Sequence, residues 1–146
     1  MIAFADASAV VKLYADKHGH HAVRRLRAMA VSQITRVEVP AALWRKHRMG
    51  ELGAPEARVL TAAFEADWHG TDDEPPRFSA VTLTQAILDD AAHLCAVHGL
   101  RAYDAVQLSS ALAARRADPS CSTFAVVDGT LRSAASAEGF ATDLAG

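Results

Sequence analysis

Four carboxylates in this sequence lie directly after predicted strands or in the first turns of predicted helices. They are Asp6, Glu38, Asp104 and Asp128. Because ligands of open α/β sheets bind outside the carboxyl ends of the strands, we expect these side chains to form one site. Carboxylates gathered in this way repel one another unless cations or protons neutralise them. Oxygen ligands without soft donors select Mg²⁺ or Mn²⁺, which indicates metal-assisted chemistry on phosphate.

Each carboxylate also has a purely structural interpretation. Asp6 is a good residue type for a helix N-cap. Residues 35–38 fit a capping box, in which the glutamate returns a hydrogen bond to the cap residue. Asp104 is favoured near a helix N-terminus by the helix dipole, and Asp128 with the glycine after it is a common turn pair. No single carboxylate therefore indicates a site, whereas the joint pattern of four does.

Short apolar runs alternate with helical patterns along the chain. Strands are predicted over residues 2–5, 31–34, 78–83 and 123–127, and a first helix begins after Asp6. Further helical patterns cover residues 18–29, 35–49, 55–68, 87–99 and 102–116, with a last helix ending near Gly139. This alternation predicts an α/β fold of three layers, in which a short, mostly parallel sheet of about five strands lies between helices.

The helix that carries Glu38 contains a proline two residues later, at Pro40. Proline lacks an amide hydrogen and its ring clashes with the preceding turn, so it is not tolerated in the middle of a helix. We therefore expect this helix to begin at about Arg36, with Pro40 in its first turn.

The composition is that of one ordinary domain over residues 1–146. The net charge is −2, 51% of the residues are apolar and 22% are charged, which is typical of a globular chain. Cys95 and Cys121 form no Cys-x-x-Cys pair, and no stretch approaches the roughly 20 apolar residues of a membrane span. We expect a cytoplasmic protein without a membrane partner. With a nearly neutral charge, local patches or metal ions would have to hold a polyanion.

Four segments resemble the motifs of the PIN domain and, within that family, of the VapC toxins of bacterial toxin-antitoxin pairs. They are residues 4–14, 35–43, 100–108 and 124–131, followed by Ala134, Ala135 and Gly139. The resemblance spans nearly the whole chain and implies a parallel sheet of about five strands. It also implies an endoribonuclease that hydrolyses RNA phosphodiester bonds, leaving 5′-phosphate and 3′-hydroxyl ends.

The same resemblance implies a cofactor, partners and site residues. It makes Asp6, Glu38, Asp104 and Asp128 the cluster that binds Mg²⁺ or Mn²⁺, with Ser8 as a hydroxyl beside it. The implied partners are an RNA substrate and a VapB-type antitoxin, in homodimers or toxin-antitoxin hetero-oligomers. Two basic groups could contact RNA, although both could instead complement helix dipoles. They are Arg24, Arg25 and Arg27, and the run of Arg45, Lys46, His47 and Arg48 beside Trp44.

Three other functions remain as alternatives. The first is a catalytically degenerate PIN-fold module that binds RNA or protein without cleaving. The second is a phosphohydrolase of the haloacid dehalogenase type, whose motif needs a second acid where this chain has Ser8. The third is a metal-independent ribonuclease, which would need paired histidines placed for acid-base catalysis. We find no such pair in the sequence.

Overall fold

One parallel sheet forms the centre of the computed structural model, which describes residues 2–15, 28–127 and 129–143. In these residues the sheet has four strands: β1 (Ala3–Ala5), β2 (Met29–Ser32), β3 (Phe78–Val81) and β4 (Thr123–Ala125). Their spatial order is β3-β2-β1-β4, and each neighbouring pair is parallel. A parallel bridge between Thr123 and Ala141 lies beyond β4. The prediction of about five strands thus corresponds to four strands and this bridge.

Helices cover both faces of the sheet. They are α1 (Ala7–Val11), α2 (Thr35–Arg48), α3 (Ala54–His69), α4 (Gln85–His98), α5 (Ala102–Ala117) and α6 (Gly129–Ala137) in the described residues. Phe4 and Phe124 contribute to one core cluster with side chains from α4, α5 and α6. Ala5 and Val31 contribute to a second cluster with α1, α2 and α3. The predicted three-layer α/β architecture is therefore confirmed.

Several predicted boundaries are wrong by a few residues. Met29, placed at the end of a helix, is 1% exposed and pairs with Ala3 and Phe78 in the sheet. The strands predicted at 78–83 and 123–127 end at Val81 and Ala125. Their apolar runs continue into the loops at the carboxyl edge, where hydrophobicity alone does not mark the strand end. The rest of the predicted helix at 18–29 lies mostly outside the described residues.

Pro40 does not lie in the first turn of its helix. The helix begins at Thr35, so Pro40 is its sixth residue and stands inside it. Its missing amide hydrogen removes the helical hydrogen bond to the Arg36 carbonyl. Val39 and Leu43 on either side are both 0% exposed, and we attribute the continuity of the helix to this packing against the core.

Candidate active site

A cavity of about 400 Å³ lies where the first turns of α1, α2 and α5 approach one another. Asp6, Glu38 and Asp104 all line it, together with Ser8. Three of the four predicted carboxylates therefore meet, and we call this cavity the acidic cavity. Asp128 lies outside the described residues. The strand order places a topological switch between β1 and β4, the type of position where open α/β sheets bind ligands.

Asp6 is both a helix cap and a wall of the acidic cavity. It directly follows β1 with an extended backbone, caps α1, and accepts a hydrogen bond from the Ala9 amide at 3.0 Å. Ser8 Oγ lies 2.7 and 2.9 Å from the two carboxylate oxygens. Burial raises the pKa of Asp6 to about 7, the charges of Glu38 and Asp104 add to the rise, and the two hydrogen bonds oppose it. The carboxylate is held in one orientation at an energetic cost to its charged form.

Glu38 lies in the first turn of α2, but the predicted capping box is wrong. The N-cap is Ile34, with no side-chain hydrogen bond to the helix end. Glu38 Oε1 instead accepts from Gln107 Nε2 at 2.8 Å, and Thr35 Oγ1 accepts from the same nitrogen at 3.1 Å. Burial and the charge of Asp104 raise the pKa of Glu38, against the lowering effect of the Gln107 bond. The hydrogen-bond partner of Glu38 is therefore Gln107 on α5, and not the backbone at the start of its own helix.

Asp104 is the third residue of α5, where the helix dipole favours a negative charge. Its side chain is 18% exposed, and its Oδ2 lies 3.2 Å from Arg101 Nε. The Arg101 side chain is 83% exposed, so this ion pair is largely screened by solvent. Asp104 therefore combines a partly buried carboxylate with a weak cationic partner at the rim.

Gln107 is a site residue that the sequence reasoning missed. It lines the acidic cavity one helical turn after Asp104 and is 1% exposed. It belongs to residues 105–112 of α5, a continuous run of buried positions. An amide in such a run is the available signal, because buried polar side chains require hydrogen-bond partners. The sequence does not show which partners those are.

The rim of the acidic cavity carries basic and aromatic side chains. Arg45, Arg101 and Tyr103 line it, and Tyr103 is 63% exposed. Of the predicted basic groups, Arg45 is thus at the cavity. Trp44 is partly buried, with its ring centroid 5.7 Å from that of His47. Arg24, Arg25 and Arg27 lie outside the described residues.

The donor set of the acidic cavity is chemically suited to a divalent cation. Its carboxylates and hydroxyl offer only oxygen ligands, which Mg²⁺ and Mn²⁺ prefer. Asp6 and Glu38 have raised pKa values, so a cation beside them would favour their charged forms. Within the described ranges, no group of three or more His, Cys, Asp or Glu side chains forms a preassembled metal site. The described residues therefore fit a divalent cation by the chemical type of their donor atoms and not by a preassembled geometry.

Comparisons with known proteins agree with this fold. A solved toxin-antitoxin complex from Klebsiella pneumoniae contains a chain 17% identical to this one, with 86% of each chain covered and a TM-score of 0.53. At that identity the likeness concerns the fold alone. Among proteins of curated function, none matches the sequence. None of the helices in the described ranges has the length and hydropathy to cross a bilayer. The family model described as PIN domain matches residues 3–117, and the chain belongs to the PIN domain family.

Proposed function

We propose that this protein is a Mg²⁺- or Mn²⁺-dependent endoribonuclease and the toxin of a VapBC-type toxin-antitoxin pair. One observation carries the proposal: Asp6, Glu38 and Asp104, from three separate segments, line one cavity. PIN domains are generally nucleases, which supports hydrolysis of a nucleic acid as the reaction class. The oxygen-only donor set supports the metal dependence.

In this proposal Asp6, Glu38 and Asp104 hold the cation, and Asp128 is the fourth acidic ligand. A divalent cation held by these carboxylates would supply activation of a water nucleophile and compensation of the charge that develops at phosphorus. Ser8 and the Ala9 amide keep the Asp6 carboxylate in one orientation, so little reorganisation accompanies the reaction. Hydrolysis leaves a 5′-phosphate and a 3′-hydroxyl.

The rim supports RNA as the substrate. Arg45 and Arg101 place positive charge beside the acidic cavity, which attracts a phosphate backbone despite the net charge of −2. The exposed ring of Tyr103 offers a face for a nucleobase. Sequence-specific RNA recognition commonly uses unpaired bases stacked on such aromatic rings. We therefore propose single-stranded regions of RNA as the targets.

The toxin assignment adds an antitoxin partner and a cellular setting. The solved chain with the similar fold is part of a toxin-antitoxin complex, and the motif resemblance points to a VapB-type partner. We propose that the protein acts in the cytoplasm as a homodimer or as a hetero-oligomer with its antitoxin. Induced expression of the wild type should stop growth, expression of Asp104→Asn should not, and co-expression with the product of an adjacent small reading frame should restore growth.

The central experiment is cleavage of a defined RNA pool by the purified chain, freed of any co-purifying partner. Reactions contain Mn²⁺, Mg²⁺ or EDTA, and product ends are mapped. We expect metal-dependent cuts with 5′-phosphates that disappear in EDTA and in Asp104→Asn. The matched control is Asp89→Asn, which removes an exposed carboxylate bonded to Gln85 on α4 and should leave cleavage unchanged.

Other outcomes would contradict the proposal. Products with 2′,3′-cyclic phosphates would indicate a metal-independent ribonuclease. Cleavage of single-stranded DNA but not RNA would overturn the substrate assignment. RNA binding without cleavage, combined with no measurable Mn²⁺ affinity, would favour the alternative of a PIN-fold RNA- or protein-binding module.

A further inference from the structure

Gln107 holds Glu38 through a hydrogen bond that crosses from one helix to another. Its Nε2 donates to Glu38 Oε1 at 2.8 Å and to Thr35 Oγ1 at 3.1 Å. The two acceptors are three residues apart, on one face of the first turn of α2. Both protons of the amide are therefore used, and one of the two bonds is strengthened by the carboxylate charge.

The other end of the same amide has no partner. Gln107 Oε1 is buried and accepts no hydrogen bond from the described residues. Exchanging the two ends of the amide would turn its oxygen toward the Glu38 carboxylate, where like charges repel. A buried acceptor without a donor carries a desolvation penalty that an apolar side chain of similar shape would avoid. The unpaired oxygen therefore offsets part of what the two hydrogen bonds contribute to folding.

We propose that Gln107 is a positioning residue that holds the Glu38 carboxylate in its cation-binding orientation. This inference rests on the proposed function, because it assigns Gln107 a role toward the same metal site. Asp104 and Gln107 are one turn apart on α5 and both line the acidic cavity. One helix thus supplies a carboxylate and also fixes the orientation of a second carboxylate carried by α2.

Gln107→Met tests the inference, because methionine has a similar length and shape but donates no hydrogen bond. Mn²⁺ affinity of the metal-free protein is measured by calorimetry, and its unfolding is measured separately in EDTA. We expect the affinity to fall about tenfold or more, the scale on which partners of metal ligands act. We expect the unfolding midpoint without metal to fall modestly, because the buried Thr35 hydroxyl and the Glu38 carboxylate lose their common donor. The affinity is therefore measured well below that midpoint, so that loss of folding does not account for its fall. Gln107→Leu carries the same expectation if Gln107→Met does not fold.

Thr35→Val is the matched variant, since it removes the other acceptor and leaves the bond to Glu38. We expect it to change Mn²⁺ affinity less than about threefold. In a Glu38→Ala background, adding Gln107→Met should produce no further loss, because a residue that acts through Glu38 has nothing left to orient.

The outcomes separate this inference from the proposed function. If the wild type binds no Mn²⁺, both are overturned. If the wild type binds Mn²⁺, Asp104→Asn does not, and Gln107→Met binds as tightly as the wild type, then only the positioning role fails. Equal losses in Gln107→Met and Thr35→Val would show that the amide merely ties α5 to α2.

Discussion

Two clusters of this protein contain partly or fully buried carboxylates in opposite electrostatic surroundings. In the Tyr14 cluster, formed by Tyr14, Asp67 and Arg77, the Asp67 carboxylate accepts from the Tyr14 hydroxyl and lies 4.0 Å from Arg77 Nη1. In the acidic cavity, burial is the main cause of the raised pKa of Asp6, and the charges of Glu38 and Asp104 add to the rise. Both carboxylates accept hydrogen bonds, but Asp67 lies beside a cation, whereas Asp6 lies beside two like charges.

This difference separates a stabilising carboxylate from one suited to binding. The Tyr14 cluster connects the turn after α1 to α3, and burial together with Asp67 raises the pKa of the Tyr14 hydroxyl. The negative charge of Asp67 is already compensated by the Tyr14 hydroxyl and by Arg77. In the acidic cavity, among the described side chains, the one carboxylate in an ion pair is that of Asp104, and its partner is the exposed Arg101. Removing a carboxylate should therefore have opposite effects in the two clusters.

The largest effect is expected for Asp6→Asn. Asparagine caps a helix as well as aspartate, so the fold should remain while the carboxylate charge is lost. We expect metal-dependent cleavage to fall at least about 100-fold, the scale for losing one preorganised electrostatic group. Cleavage rates at saturating Mn²⁺ measure this loss, and near-wild-type activity would remove Asp6 from the site.

The same variant should change how stability depends on pH in EDTA. The pKa of Asp6 is about 7 in the folded protein against an ordinary value of 3.8. Between these values the folded state binds more protons than the unfolded state, so stability falls as pH rises. Each pKa unit corresponds to about 1.4 kcal/mol, so the rise from 3.8 to about 7 makes the charged form cost about 4 kcal/mol, and we expect Asp6→Asn to be more stable than the wild type by up to about 4 kcal/mol at pH 8. Urea unfolding at pH 5 and pH 8 measures the difference, and equal pH dependence in both proteins would contradict it.

Asp67→Asn is the opposite case in the Tyr14 cluster. It weakens the bond from the Tyr14 hydroxyl and removes the attraction to Arg77. We expect a loss of about 1 kcal/mol in the free energy of unfolding, because the Asp67 side chain is 35% exposed and solvent screens part of the interaction. RNA cleavage should be unchanged. A variant as stable as the wild type but inactive would reverse the roles assigned to the two clusters.

The sequence predicts the position of the carboxylates better than their contacts. Asp6 follows a strand and Asp104 opens a helix, and both locations could be inferred because chain direction places such residues at a sheet edge. The capping-box interpretation of Glu38 failed because its partner, Gln107, is 69 residues away. Local patterns report hydrogen bonds within a turn and carry no information about a distant helix. For the same reason, neither the Asp67 contact with Tyr14 nor the extent of burial of Asp6 was predictable.

The smallest effect is expected at the rim, for Arg101→Ala. The Arg101 side chain is 83% exposed, so loss of its ion pair should change the free energy of unfolding by less than about 0.5 kcal/mol. RNA binding should respond more clearly, because removing one phosphate contact lowers the slope of log affinity against log salt by about 0.7 for single strands. The binding is measured in an Asp6→Asn background, which prevents cleavage.

Arg116→Ala is the matched control for this last variant. Arg116 is also exposed and also pairs with a carboxylate, Asp90, at 3.5 Å, but it does not line the acidic cavity. Both substitutions remove one positive charge, so they change the net charge of the protein equally. A salt slope that falls for Arg101→Ala and not for Arg116→Ala would therefore assign the contact to the rim. A salt slope that falls equally in the two variants would mean that RNA responds to net charge alone.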